Sequence, residues 1–378
     1  MPHPYLGFCP YLPLSAVVTF ADWEIGPVKA FEGRWIDARF ESSAKAFLAK
    51  FVDGAGVSIR NPSLLCRRGG VMDGSLPSTH EIDALEQAIP FGFLDQNPRH
   101  SPDTQAQAWT IVTADNTDVF FWPIDIEDGY VTVRTGMMVQ TLGGGYRIND
   151  PELAIRPPLD LHLAVAVQKA DSATLEAVYR IVLSSVSQPG ANVTADRLRV
   201  AIGWLIKAWR NTATVHWSER IVFLKTGFEA ITATEKSHVS AQLLRDLFRA
   251  VPDTAPQDSE LLIWSPAETA NRTRQWTDRG GNVHVDQLTD LEHWFMEFAT
   301  ARNSIIHNGI VPSLVYTEPA SAYNGHMVFT AEFLLRTVVK VSLGTLGYPD
   351  LWRSEIWRIV KATYEKLVAE TAPDQAPD

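Results

Sequence analysis

Cysteine is almost missing from this chain: two residues in 378, Cys9 and Cys66, far apart and outside any CxxC pair. That leaves too few thiols for a disulfide framework or a structural zinc site, and it suits a reducing compartment. Long apolar runs are missing too. No window approaches the roughly 18–20 residues of a membrane span, and the opening "MPHPYLGFCPYLPL" has neither a basic region nor a long apolar run, so no signal peptide is expected. Basic residues are in deficit, 33 Lys and Arg against 44 Asp and Glu, for a net charge of −11. A protein whose whole surface grips nucleic acid or anionic lipid is thereby excluded, but a local basic site is not. Ten histidines fall in no HExxH or paired-ligand spacing, so no metal is expected. No G-x-S-x-G supports a serine triad. "LGGGYR" (142–147) lacks the Lys-Ser/Thr and the glycine spacing of a phosphate loop and is better taken as a turn. "DIED" (125–128) has no lysine at useful spacing to make a metal nuclease and also suits a turn. The expectation is a cytoplasmic protein with no membrane segment, metal or cofactor.

What the chain does have is a large stock of core residues: 46% hydrophobic, 10% aromatic and 12 Trp. That is enough for two domains. Its character changes near residue 190. Before it, "AWTIVTA" (108–114), "DVFFWPI" (118–124) and "GYVTVRTGMMVQTL" (129–142) have the β-branched and aromatic content of strands and are separated by turn residues. "THEIDALEQAI" (79–89), with Thr79 as cap, and "LEAVYRIVLSSV" (175–186) have helical spacing. After "PGAN" helical signals take over: 194–211 with Leu198, Ile202, Leu205 and Ile206 on one face, then 218–231, 237–251, 286–307, 330–347 and 350–370. The expected architecture is an α+β N-terminal domain rich in strands (1–190), an all-α helical bundle (194–370) and a disordered tail (371–378). Trp204, Trp209, Trp294 and Trp357 are assigned to the bundle core.

One helix breaks its own pattern. In 286–307, Leu288, Leu291, Phe295 and Phe298 recur at spacings of three and four, and the next positions are Arg302 and Ile305. An arginine stands where an apolar residue is expected. Its guanidinium does not lose its charge in the interior, so it needs an acceptor or an opening. His307 follows five residues later, about 140° around the axis, in the last turn before the stop signal Asn308-Gly309, where the helix dipole favours an imidazolium. Two readings stay open on spacing alone. Arg302 is a structural ion-pair member and His307 a C-terminal cap, or the two form a phosphodiester site, with Arg holding the phosphate and His moving a proton.

"ARNSIIHNG" at the end of a long helix resembles the R-x4-6-H signature of HEPN domains, helical bundles found in many prokaryotic RNases and defence toxins. Asn303 matches their frequent polar residue after the arginine. "RIVFLKTGFEAI", with Glu229, resembles the early HEPN helix that carries an acidic residue. "AQLLRDLFRAV" resembles the next helix, and "EFLLRTVVKVSLGTLG" the helix after the motif. The likeness is greatest to the Apea-like HEPN group and covers roughly residues 195–370; the N-terminal half resembles no family. It implies a HEPN-like bundle acting as a homodimer and a metal-independent endoribonuclease in which the RNA 2′-hydroxyl attacks the adjacent phosphorus. Arg302 and His307 would be catalytic. Asn303 would orient the histidine or the phosphate, and Glu229 would support Arg302 as its ion-pair partner. "NRTRQWTDRGGN" (271–282) is either a solvated Arg-rich loop or, under the nuclease reading, a flexible basic loop that contacts RNA through Arg272, Arg274, Arg279 and a base-stacking Trp276.

Three functions compete. The first is a toxin or abortive-infection RNase whose N-terminal half senses a protein or phage-derived trigger. The second is a non-catalytic HEPN module for dimerisation or protein docking, in which Arg302 is structural. The third is a ligand-binding regulator, for which no residue locates a pocket.

Overall fold

The computed structural model describes residues 4–52, 56–59, 61–95, 114–124, 131–133, 146–148, 170–210, 215–249, 272–277, 280–309, 327–348 and 351. The chain divides into two compact units, Met1–Gln188 and Pro189–Asp378. Several expected features lie outside the described residues: the strand over 108–113, most of 129–142, "DIED", Arg279, Trp357, the tail, and the final helix beyond residue 351.

The first unit is built on a five-stranded antiparallel sheet. Its strands are β1 (Tyr5–Cys9), β2 (Val18–Phe20), β3 (Trp23–Pro27), β4 (Ser63–Arg67) and β5 (Phe120–Pro123), in the order β2-β3-β4-β1-β5. Alternation gives the sheet two apolar faces. On one, Leu6, Phe8, Leu64 and Cys66 meet helix α1 (Ala38–Leu48) through Phe40, Ala44, Phe47 and Leu48, with Phe8 edge-on to Phe47 at 5.5 Å. Helix α1 went unrecognised in the sequence, yet its signature is there: Asp37 caps it by accepting from the Phe40 N–H at 2.7 Å, and apolar residues follow at helical spacing. At the centre, Gly7 pairs with Leu65 on one side and Phe121 on the other, and a Cβ there would lie 2.8 Å from the Phe121 ring.

The other face is covered by helices α2 (Thr79–Asp95) and α3 (Ser172–Ser187). Trp23 Nε1 donates to the Tyr179 hydroxyl at 3.0 Å in the buried interior, and Phe20 meets the same ring edge-on. Gly92 lets α3 approach α2, since a Cβ there would come within 2.4 Å of Leu175. Ser78, rather than Thr79, caps α2: its hydroxyl accepts from the Glu81 N–H, and the Glu81 carboxylate accepts from the Ser78 N–H at 2.9 Å, a reciprocal capping box. A short antiparallel pair, β6 (Val131–Val133) with β7 (Tyr146–Ile148), lies in the same unit, so the "LGGGYR" stretch ends in a strand.

In the second unit, helices α4 (Val193–Ala208), α5 (Trp217–Thr232) and α6 (Ser237–Arg249) precede a β-hairpin of β8 (Arg272–Thr277) and β9 (Val283–Leu288); α7 (Asp290–Asn308) and α8 (Met327–Thr345) follow. The unit is therefore not all-helical. The spacing of Leu198, Ile202, Leu205 and Ile206 holds, and all four are buried on α4. Asn192 supplies the α4 cap, accepting from the Ala195 N–H at 3.1 Å. Trp209 and Trp294 are core residues, whereas Trp204 is half-buried, stacked against Phe223 and Lys207. At Gly227 an added Cβ would lie 2.6 Å from Leu335, so α5 and α8 pack closely. Among the described residues no helix is long and apolar enough to cross a membrane.

Candidate functional site on helix α7

Helix α7 begins four residues later than its apolar spacing suggests. Leu288 ends a strand, and Thr289 starts the helix by accepting from the Glu292 N–H while the Glu292 carboxylate accepts from the Thr289 N–H at 2.8 Å. Glu292 also takes Arg245 Nη1 at 2.7 Å, tying α6 to the first turn of α7. From there the apolar stripe runs as expected: Leu291, Phe295 and Phe298 are buried, and Phe228 of α5 meets Phe295 and Phe298 edge-on at 5.3 and 6.1 Å. Each buried phenyl ring stabilises the packing by about 1.5–3 kcal/mol.

Arg302 is the next position on this face and is half-buried. Its Nη1 donates to the Asn303 Oδ1 at 3.1 Å, while its Nε is shielded from solvent and finds no acceptor. No carboxylate pairs with it among the described residues. The expected ion pair with Glu229 is not formed, because Glu229 is engaged elsewhere: Lys225 Nζ donates to its Oε1 at 2.8 Å, one turn along α5. Lys225 also lies over the Phe295 ring, 5.2 Å from its centroid. Burial lowers the Lys225 pKa from the ordinary lysine value; its bond to Glu229 opposes that, and the charge of Arg302 adds to it. Lys225 and Glu229 thus flank Phe228, whose ring packs on Phe298 of α7, one turn before Arg302.

His307 is exposed in the last turn, ahead of Gly309, whose φ of 64° closes the helix in the left-handed conformation and whose N–H donates to the Ile305 and Ser304 carbonyls. A rise of about 7.5 Å and a rotation of about 140° separate positions five apart on a helix. The helix alone therefore does not place Arg302 and His307 on one face. Ile306, beside the histidine, is 45% exposed.

The basic stretch expected as a loop forms strand β8 over Arg272–Thr277. Register places Arg274 opposite Asp286 and Trp276 opposite His284. Trp276 stacks on His284 with ring centroids 4.4 Å apart and donates through Nε1 to Asp286 Oδ2 at 2.7 Å. Arg274 reaches back to α7, donating through Nη2 to Thr300 Oγ1 at 3.4 Å, two residues before Arg302. Arg272 stands at the start of the strand opposite Leu288.

Sequence reasoning missed the buried charges. Lys225 is one. Glu332, Arg336 and Lys340 are others, spaced four apart along α8 and all buried, with Arg220 of α5 at 3.9 Å from Glu332. The signal was present in "EFLLRTVVKV", where charges recur every fourth residue in an otherwise apolar helix. Among the described residues, no group of three or more His, Cys, Asp or Glu is placed to hold a metal ion. No protein-family model, no curated protein and no solved structure matches this chain.

Proposed function

We propose that the second unit is a HEPN-type endoribonuclease that cleaves RNA by 2′-hydroxyl attack without a metal, acting in the cytoplasm as the effector of a defence or toxin system and restrained by the first unit until a protein or phage-derived trigger arrives. The observation that carries this reading is Arg302. A structural ion pair needs a carboxylate on the guanidinium, and Arg302 has none among the described residues, while Asn303 fixes the direction of its fork. A half-buried arginine with a shielded, unused donor is a receptor for an anion with several oxygens.

In this reading Arg302 binds the scissile phosphate and the charge that develops on it. His307 takes the proton of the 2′-hydroxyl as that oxygen bonds to phosphorus, and the P–O5′ bond breaks. A proton then returns to the leaving oxygen, giving a cyclic phosphate and a 5′-hydroxyl. The requirement for a 2′-hydroxyl restricts the reaction to RNA. A homodimer brings two copies of the α7 motif to one cleft, which supplies the convergence that one helix does not, and the exposed Ile306 is suited to lie in that interface. Arg274 and the Trp276–His284 stack form a cationic and aromatic surface tied to α7, suited to hold the adjoining nucleotides.

The test is cleavage of a labelled RNA in EDTA. Arg302→Ala and His307→Ala are each expected to slow it by about 100-fold or more, with the melting temperature nearly unchanged. Cleavage by both variants at the wild-type rate overturns the assignment. One observation favours a second reading, a non-catalytic module: Val283 and Val285 are 57% and 60% exposed on the hairpin, as a protein-docking edge would have them. That reading expects no cleavage by the wild type.

A further inference from the structure

Lys225 is a buried cation for which the reaction above has no use. Its side chain is 2% exposed and that of its partner Glu229 is 18%. Burying an ammonium group is unfavourable unless it is closely paired, and an apolar residue of similar volume would pack against Phe295 without that cost. Phe228, next to Glu229 on α5, packs on Phe298 of α7, one turn before Arg302, whose Nε lies shielded and without an acceptor among the described residues. Guanidinium and carboxylate form strong, often two-pronged pairs, so the absence of this one calls for a competitor. Lys225 is that competitor: it holds Glu229 Oε1 at 2.8 Å.

Resting on the nuclease reading, we propose that Lys225 is a positioning residue that keeps Glu229 off Arg302, so that the guanidinium stays open to an RNA phosphate. Glu229 is then a built-in rival of the substrate. With Lys225 in place it sits out of the way. Without Lys225 it turns to Arg302, neutralises the charge and occupies the donors that the phosphate needs. Arg302→Ala removes the anion site outright; loss of Lys225 leaves it present but filled.

The experiment uses the full chain and two readouts. In RNA cleavage, Lys225→Met is expected to lose about tenfold or more in kcat/KM, chiefly through a raised KM, because substrate must displace Glu229. The double variant Lys225→Met/Glu229→Gln is expected to recover most of that loss. In thermal melts, the shifts caused by Arg302→Ala and Glu229→Gln should add when Lys225 is present. In the Lys225→Met background they should fail to add by about 3 °C or more, the sign of a newly formed pair. Should Lys225→Met not fold, Lys225→Gln serves in the same scheme. Additive shifts in both backgrounds overturn the proposal, and so does a double variant as slow as Lys225→Met. The melts decide the partner exchange even where no RNA is cleaved, so failure of the nuclease reading and failure of this inference are separable.

Discussion

Single residues show how burial and charge compete in this protein. Arg302 keeps its charge at the end of an apolar stripe because its fork opens outward to Asn303, and Lys225 keeps its place in the interior only beside Glu229. The two thiols make the same point in the first unit. Cys66 has Arg34 Nη2 at 3.4 Å, which favours a thiolate, yet burial wins and pushes its pKa up to about 11; Cys9, wholly buried, is raised further. A thiol in that state is a poor nucleophile near neutral pH. Neither cysteine should react with a disulfide reagent at pH 8 while the first unit is folded, and both should react in denaturant. A native thiol that titrates at once would contradict the burial of that face of the sheet.

Elements show what the sequence revealed and what it hid. Long helices with a single apolar face were legible, and α3, α4, α5 and α6 fall where the spacing of their leucines and isoleucines places them. The start of α7 was not. "VHVDQL" carries Val283, Val285 and Leu288 at spacings that a helix can absorb, and only pairing with 272–277 makes it a strand. Such pairing is made across a hairpin turn and leaves no mark on a helical count. Helix α1 was overlooked because its aromatic residues resemble the strands around it. At the site, Arg302 was legible because a charge interrupts a stripe. The Glu229–Arg302 pair was misjudged because the choice between Lys225 and Arg302 is made by packing, which sequence spacing does not record. The true start of α7 gives a direct check: Thr289→Ala removes the hydroxyl that accepts from the Glu292 N–H, and is expected to destabilise the second unit by about 1 kcal/mol. Denaturant melts measure this. An unchanged midpoint would mean that the cap is not holding the helix that carries Arg302.

At the scale of the whole chain, a net charge of −11 repels RNA, so the proposed reaction requires a few local cations rather than a general field to hold its substrate. Arg302 and Arg274, the latter bonded to Thr300 on the same helix, are the cations beside the α7 motif that this proposal uses. The central claim is that the α7 motif cleaves RNA through its own 2′-hydroxyl. It is tested most directly by determining the ends of the fragments that the full-length protein releases from a defined RNA in EDTA. The expected result is a cyclic phosphate on the upstream fragment and a 5′-hydroxyl on the downstream one, both lost in His307→Ala. Fragments carrying a 3′-hydroxyl and a 5′-phosphate, or the same yield from His307→Ala, would contradict it.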